Sequence, residues 1–463
     1  MRLVATCAAA AAAAVACGDN DLPQSHERSG SRIRAMYQVD AEGDRLFHGW
    51  YDQTLDRECV WSAGGDPRCL PAFEETAVFL DAQCQQPALE RARAVPPQTE
   101  PPLPAYLGVR RSPCAERPLL ELSALTGAVV APLFVWSLDA SAGTCRGRAA
   151  DYVTYAYYPT GEPLPPETFV GGEVANLGGG RIRTRTVVGD DGSLAPIEAF
   201  DTELGASCEP DLERGCVPAA AYASIAEDAA CLRPIAAALN RCEPPAVIAH
   251  TRSDTVRLYR RGDVFTDDPE EVVTIFDMSV FITGQGWSCT ERQAQVIAGR
   301  TLYRAGAEIS VDRLAQVADR TGEGRRLRPQ WLQAGGHRAV YGYLDVAEGT
   351  TCSPTEVVPG VWHCLPDLRG IWRDFFYANA TCSEPLALGF DYGEHTPVIE
   401  TVRNDDGTWR PRLYELGLER APGTYFWTSD EGCVPYSDGE FTAHELGAEV
   451  SIDRYAPLAL VTE

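Results

Sequence analysis

The chain has 463 residues and a formal net charge of −26, and all of its basic residues are Arg. So acidic a surface repels nucleic-acid phosphates and anionic bilayers, which sets both aside as partners. Charged and aromatic contents of 23% and 9% are ordinary for a globular protein and exclude wholesale disorder.

Met1-Arg2 precedes an Ala-rich apolar run, Leu3 to Ala16, that is too short to span a bilayer as a helix. Residues 1–16 therefore read as a secretory signal peptide. The run ends Ala14-Val15-Ala16-Cys17-Gly18, which resembles the lipobox of bacterial lipoproteins, with Ala14 where that family usually has Leu. The resemblance implies lipidation of Cys17. Parity agrees: with Cys7 lost in the signal and Cys17 acylated, fourteen of the 16 cysteines remain and can pair completely. Residues 17–31 then form the lipidated Cys and a polar, flexible tether.

Three repeats follow, at 32–180, 181–325 and 326–463. Each opens on an R-x-R strand (Arg32-Ile33-Arg34, Arg181-Ile182-Arg183, Arg326-Leu327-Arg328) and continues through a Gly-bearing turn to an aromatic strand. Each then reaches an Asp (Asp52, Asp201, Asp345) placed seven residues before a Cys. Next come a C…C-x-P hairpin, a strand into a further Cys, two more strands and a last Cys. The runs are short, rich in Val, Tyr, Phe, Trp and Thr, and bounded by Gly, Pro and Asp, which is the signature of strands joined by tight turns. The Ala-rich stretch Ala219–Ala238 falls on the repeat's own strands and reads as strand rather than helix. The expected fold is all-β. About eight strands per repeat is too many for one open sheet and predicts a six-bladed β-propeller of three two-blade repeats, closed by a last strand over Arg454–Leu460. Three tandem β-sandwich-like domains are the alternative.

The cysteines recur in register. Cys59/Cys69, Cys208/Cys216 and Cys352/Cys364 each bracket a short loop and predict hairpin staples in an oxidising compartment. Threefold consistency suggests Cys84–Cys145, Cys231–Cys289 and Cys382–Cys433, leaving Cys114 and Cys242 to pair with each other. Cys84–Cys114, Cys231–Cys242 and Cys145–Cys289 form the other consistent set. The phrase Cys69-Leu70-Pro71, followed by Phe79-x-Asp81-x-x-Cys84-x-x-Pro87, resembles cysteine-rich lipoproteins of myxobacteria. It returns at Cys364 to Pro385 and, with Ala226 in the aromatic slot, in the second repeat. That resemblance implies a lipoprotein anchored to the bacterial outer membrane or cell surface, and carries no activity with it.

Candidate chemistry is sparse. Period-two alternation puts Arg32 and Arg34, Arg181 and Arg183, and Arg326 and Arg328 on strand faces. They are candidates for a ring that grips an anion, against the plainer expectation of cross-strand pairing with carboxylates. Asp52, Asp201 and Asp345 could line one mouth, or simply bond their own backbone two residues on. Trp50, Tyr51, Trp61, Trp136, Trp362, Trp372 and Trp427 could stack on sugars or pack the core. The chain holds no G-x-S-x-G, P-loop or dinucleotide fingerprint. Its seven His are scattered, and His444-Glu445 lacks a second His, so no catalytic residue, metal ligand or cofactor is assigned. The expectation is a non-catalytic binding module for a glycan or an envelope protein. A polysaccharide-cleaving hydrolase or lyase, which requires an asymmetric cluster of buried carboxylates, and a structural envelope protein are the alternatives.

Overall fold

The computed structural model describes residues 27–62, 66–75, 78–93, 103–110, 120–139, 144–239, 244–252, 255–268, 272–280, 287–295, 300–366, 376–384, 386–389, 398–403, 409–420, 425–429, 432–436 and 442–463. The chain is all-β. Helix among the described residues is confined to the 3-10 turns Pro166–Thr168, Val311–Arg313 and Ile452–Arg454. No described helix is long and apolar enough to cross a membrane.

Each R-x-R strand is the second strand of a five-stranded antiparallel meander, here called a core sheet. The second core sheet runs Gly172–Leu177, Ile182–Gly189, Leu194–Asp201, Ala206–Asp211, Gly215–Pro218. The third runs Val317–Thr321, Leu327–Ala334, His337–Asp345, Thr350–Val358, Val361–Pro366. In both, the leading strand comes from the end of the preceding repeat. The first core sheet (Ile33–Val39, Arg45–Asp52, Arg57–Trp61, Cys69–Pro71) receives its leading strand from the far end of the chain. Pro457–Thr462 fills that place, with Met36 opposite Thr462 and Val39 opposite Ala459. The closing strand thus starts at Pro457 rather than Arg454, because Ile452–Arg454 is taken up by a 3-10 turn.

The three core sheets join head to tail. Cys69 N–H donates to Val170 O (3.1 Å), Cys216 N–H to Ala315 O (2.8 Å) and Cys364 N–H to Ala456 O (2.9 Å). Each bond sews the last strand of one sheet to the segment leading into the next, so the hydrogen-bonded cycle closes. Faces pack in the same rotation. Ile33, Ala35 and Tyr37 of the first sheet meet Val187 and Ala195 of the second. Ile182 and Ala199 of the second meet Ala334 of the third, and Leu327 and Tyr343 of the third meet Leu46 of the first. The cores are therefore shared between repeats rather than enclosed within them.

Turn chemistry repeats this handing-on. The Asp191 carboxylate at the hairpin tip of the second sheet accepts from Arg32 N–H (2.9 Å) and Ile33 N–H (2.6 Å) of the first. The Asp44 carboxylate does the same for Arg325, Arg326 and Leu327 of the third. The third hairpin carries glycine instead, and Gly336 N–H donates to Ile182 O (3.2 Å). At Gly335, with φ of +53°, a Cβ would lie 3.0 Å from Ile182 O, so both the backbone conformation and the close approach favour glycine.

After its C…C-x-P hairpin each repeat inserts a second β module. The ladders thus give one five-stranded meander and one module per repeat, instead of two four-stranded blades. Among the described residues the first two modules are eight-stranded, and the third has a three-stranded and a four-stranded sheet. Phe79 pairs with Trp136, Ala226 with Phe276 and Tyr377 with Phe426. Phe276 thus stands in the second module where Trp136 and Phe426 stand in the other two. A buried Leu anchors each module to its core sheet: Leu122 with Leu70 and Phe169, Leu258 with Leu204 and Leu314, Leu413 with Leu365 and Tyr455. Each such burial contributes about 1.5–3 kcal/mol.

Candidate functional site

The three Arg that open the repeats and the three recurring Asp find each other. Ile33 lies opposite Asp52, so Arg32 reaches it from the adjoining strand: Nε donates to Oδ1 at 2.8 Å and a terminal nitrogen to Oδ2 at 2.7 Å. Arg181 holds Asp201 at 2.7–3.0 Å, and Arg326 holds Asp345 more loosely at 3.2–3.3 Å. All three Asp have 0% exposure. A further guanidinium N–H reaches the last carbonyl of each 3-10 turn: Thr168 (2.7 Å), Arg313 (2.8 Å) and Arg454 (2.8 Å).

The same Asp also cap their own turns. Asp52 Oδ1 accepts from Thr54 and Leu55 N–H, Asp201 Oδ1 from Glu203 and Leu204, and Asp345 Oδ1 from Ala347. Each clamp therefore ties strand, turn and module exit together. These bonds are the cross-strand pairing and the own-backbone capping named as the plainer readings of the two sets. Arg32, Arg181 and Arg326 form no anion-gripping ring, because their donors are committed to carboxylate and carbonyl. Asp52, Asp201 and Asp345 line no mouth, because each is sealed beneath its Arg. They also sit one per repeat in equivalent places, not in the asymmetric cluster that a polysaccharide-cleaving enzyme requires. Arg34 and Arg183 are half-buried opposite Tyr51 and Phe200, while Arg328 donates to Gly324 O at 3.1 Å.

The cysteines brace both parts. Cys59–Cys69, Cys208–Cys216 and Cys352–Cys364 staple the core hairpins, each with Cα atoms 5.3 Å apart. Cys84–Cys145, Cys231–Cys289 and Cys382–Cys433 brace the modules across separations of 61, 58 and 51 residues. In the chain-entropy account each long bridge contributes about 4 kcal/mol. Cys17, Cys114 and Cys242 lie outside the described residues. The six described bridges make this a disulfide-stabilised β protein suited to an oxidising, extracytoplasmic setting.

The F-x-D-x-x-C phrase now has a physical meaning. Cys84, Cys231 and Cys382 stand in left-handed backbone (φ 53°, 50° and 49°), which a non-Gly residue adopts only when held. Their N–H groups donate to Asp81 O, Asp228 O and Asn379 O. The same three side chains then cap the turn: Asp81 accepts from Gln83 and Gln85, Asp228 from Ala230 and Leu232, Asn379 from Ser383. Burial pushes the Asp228 carboxyl upward, but its hydrogen bonds to backbone N–H groups outweigh this and hold it below the ordinary carboxylate value.

The aromatics divide. Trp50 and Trp61 are buried between the first two core sheets. Trp362 packs on His48 with ring centroids 5.0 Å apart, Tyr51 bonds Asp56, and Trp136 lies against Phe134. Trp427 is partly exposed, and Trp372 lies outside the described residues.

A cleft of about 690 Å³ opens beside the second core sheet, between that sheet and its module. Its position follows from two substitutions between repeats. In the first repeat Phe73 lies over Gly108, so closely that a Cβ on Gly108 would come within 2.4 Å of the ring. Strand pairing sets Glu75 beside Gly108 and Tyr222 beside Ala249, which makes Ala220 the counterpart of Phe73 and Ala249 that of Gly108. Where the first repeat has a ring, the second has a methyl group, and the space stays open.

One wall of the cleft is apolar (Ala220, Ala249, Val256, Leu258) and ends at Tyr222, whose relative exposure is 73%. The other is polar but largely self-neutralised. Arg185 donates to Glu198 (2.7 Å) and Ser207 (3.1 Å), and Arg214 grips Asp211 (2.7 Å). The hydrogen bond from Arg214 holds the Asp211 carboxyl below its ordinary value. Glu209 adds one further carboxylate to the lining, and His337 closes the floor, with Nδ1 3.3 Å from Thr184 Oγ1. Sequence reading missed this site. Tyr222 sits in the Ala-rich stretch that was read only as strand, and the signal was the change from Pro71-Ala72-Phe73 to Pro218-Ala219-Ala220.

A protein-family model, described as a family of unknown function (DUF7481), matches residues 11–276, more than half of the chain. The chain belongs to this family. The DUF7481 match takes in the first repeat, the Arg32 and Arg181 clamps, and the cleft wall from Ile197 to Leu258. His337 and Ala339, which complete the cleft of this DUF7481 member, lie beyond it. No curated protein and no solved structure matches the chain.

Proposed function

We propose that this protein is a lipid-anchored, non-catalytic binding module of the bacterial cell surface, tethered through Cys17, and that its ligand is an uncharged glycan held in the cleft of the second repeat. The observation that carries the reading is the pairing of an exposed tyrosine ring and an aliphatic wall with self-neutralised ion pairs. A hexose offers an apolar C–H face for the ring. Its hydroxyls are donors and acceptors for Glu198, Asp211, Arg214 and Ser207, and charge-assisted bonds of this type are the stronger ones. Both ion pairs are internally neutral and Glu209 leaves the lining acidic, so an anionic glycan gains little there. Six disulfides support the surface location.

An array of neutral and acidic glycans, probed with the Cys17→Ser chain so that no lipid interferes, tests the reading. Binding confined to neutral glycans, insensitive to salt and reduced at least tenfold by Tyr222→Ala, is expected. Binding to acidic glycans alone, or none at all, would overturn it.

A further inference from the structure

We infer that the third repeat carries a second subsite for the same kind of uncharged glycan, so that one polymer chain is held at two places. The inference rests on the glycan reading of the second-repeat cleft. A groove of about 580 Å³ lies between the third core sheet and its module. It uses the same two structural parts as the cleft: the fourth core strand (Thr350–Val358, the counterpart of Ala206–Asp211) and the long module strand (Trp409–Arg420, the counterpart of Thr255–Thr266). Leu413 faces Val450 as Leu258 faces Ile309, which fixes the correspondence.

The groove is displaced along this junction toward the module's last strand; it shares with the cleft an apolar floor, an internally neutral Arg–carboxylate pair and a hydroxyl, without an exposed ring. Val357, Leu413, Val450 and Ile452 make an apolar floor. Arg412 and Glu449 close one rim as a self-neutralised pair, with Arg412 Nε donating to Glu449 Oε1 at 2.9 Å. The Arg412 guanidinium also lies 5.4 Å from the centre of the Tyr414 ring. Ser451 adds a hydroxyl to the lining. In the first repeat the junction is filled instead, by Phe73 and Phe169 around Leu122. Among the described residues two of the junctions are thus open and one is filled.

Two subsites on one chain raise the apparent affinity for a polymer that reaches both, without any new contact. Calorimetric titration of the Cys17→Ser chain with cellohexaose, and with soluble hydroxyethyl cellulose, tests this. Two hexasaccharide sites are expected. Arg412→Ala should remove one, Tyr222→Ala the other, and either variant should lower affinity for the polymer about a hundredfold while leaving the melting temperature within a few degrees. One site, unaltered by Arg412→Ala, overturns the second subsite and leaves the first standing. No heat from the unsubstituted chain overturns the glycan reading itself.

Discussion

Arg181 grips the fully buried carboxylate of Asp201 through both Nε and a terminal nitrogen, at 2.7–3.0 Å, while a third N–H reaches the Arg313 carbonyl at 2.8 Å. One residue pair thus fixes where the second module returns to the core. The same arrangement recurs at Arg32–Asp52 and Arg326–Asp345, so the ring is held by three equivalent clamps as well as by its strands.

Breaking a clamp leaves a cation without its partner and frees the turn N–H groups that the Asp had capped. Asp201→Ala should cost about 3–5 kcal/mol, the usual penalty for removing one partner of a buried pair. Asp345→Ala should cost less, since its bonds are longer at 3.2–3.3 Å. Urea denaturation of the three Asp→Ala variants checks both the size and the order. Equal, sub-kilocalorie losses would place these pairs among ordinary surface salt bridges.

Stability should fall at both ends of the pH scale through identifiable groups. At Asp191 burial opposes ionisation, yet the N–H donors of Ile33 and Arg32 and the Ser193 hydroxyl together hold the carboxyl below 3.8. Its folded-state value is depressed, so its contribution is present above 3.8 and is lost as pH falls through the lower folded value. Tyr343 is shifted the other way. Burial, with the Glu27 charge adding to it, raises its hydroxyl from 10.0 to about 12. The contribution of Tyr343 is complete below pH 10.0 and disappears as pH rises to about 12. Asp191→Asn should therefore flatten the acid limb of a stability profile, and Tyr343→Phe the alkaline limb. Unchanged limbs in both variants would contradict these assignments.

The strand content was legible in the sequence because short β-branched and aromatic runs between Gly, Pro and Asp leave few other readings. The registered cysteines were legible for a similar reason: the same spacing three times over constrains which partners are consistent. The clamp was half legible. Arg32 precedes Asp52 by 20 positions, as Arg181 precedes Asp201, and Arg326 precedes Asp345 by 19. That constancy marks residues facing each other across a hairpin, but read one at a time they suggested a ring of cations and a ring of acids. The uneven split into meander and module was hidden, since Gly172–Leu177 belongs by sequence to one repeat and by hydrogen bonding to the next. The cleft was hidden for a different reason. It arises from an absence of volume at Ala220, and small side chains give no signal until the repeats are laid over one another.

Filling that volume is the most direct test of the account. Ala220→Phe combined with Ala249→Gly reproduces in the second repeat the Phe73–Gly108 contact of the first, and should close the cleft without removing any of its polar groups. Titration with cellohexaose should then show the second-repeat site abolished and the third-repeat site unchanged, with the melting temperature equal to or above that of the original chain. Undiminished binding at both sites in a correctly folded double variant would show that the cleft is not where the ligand sits.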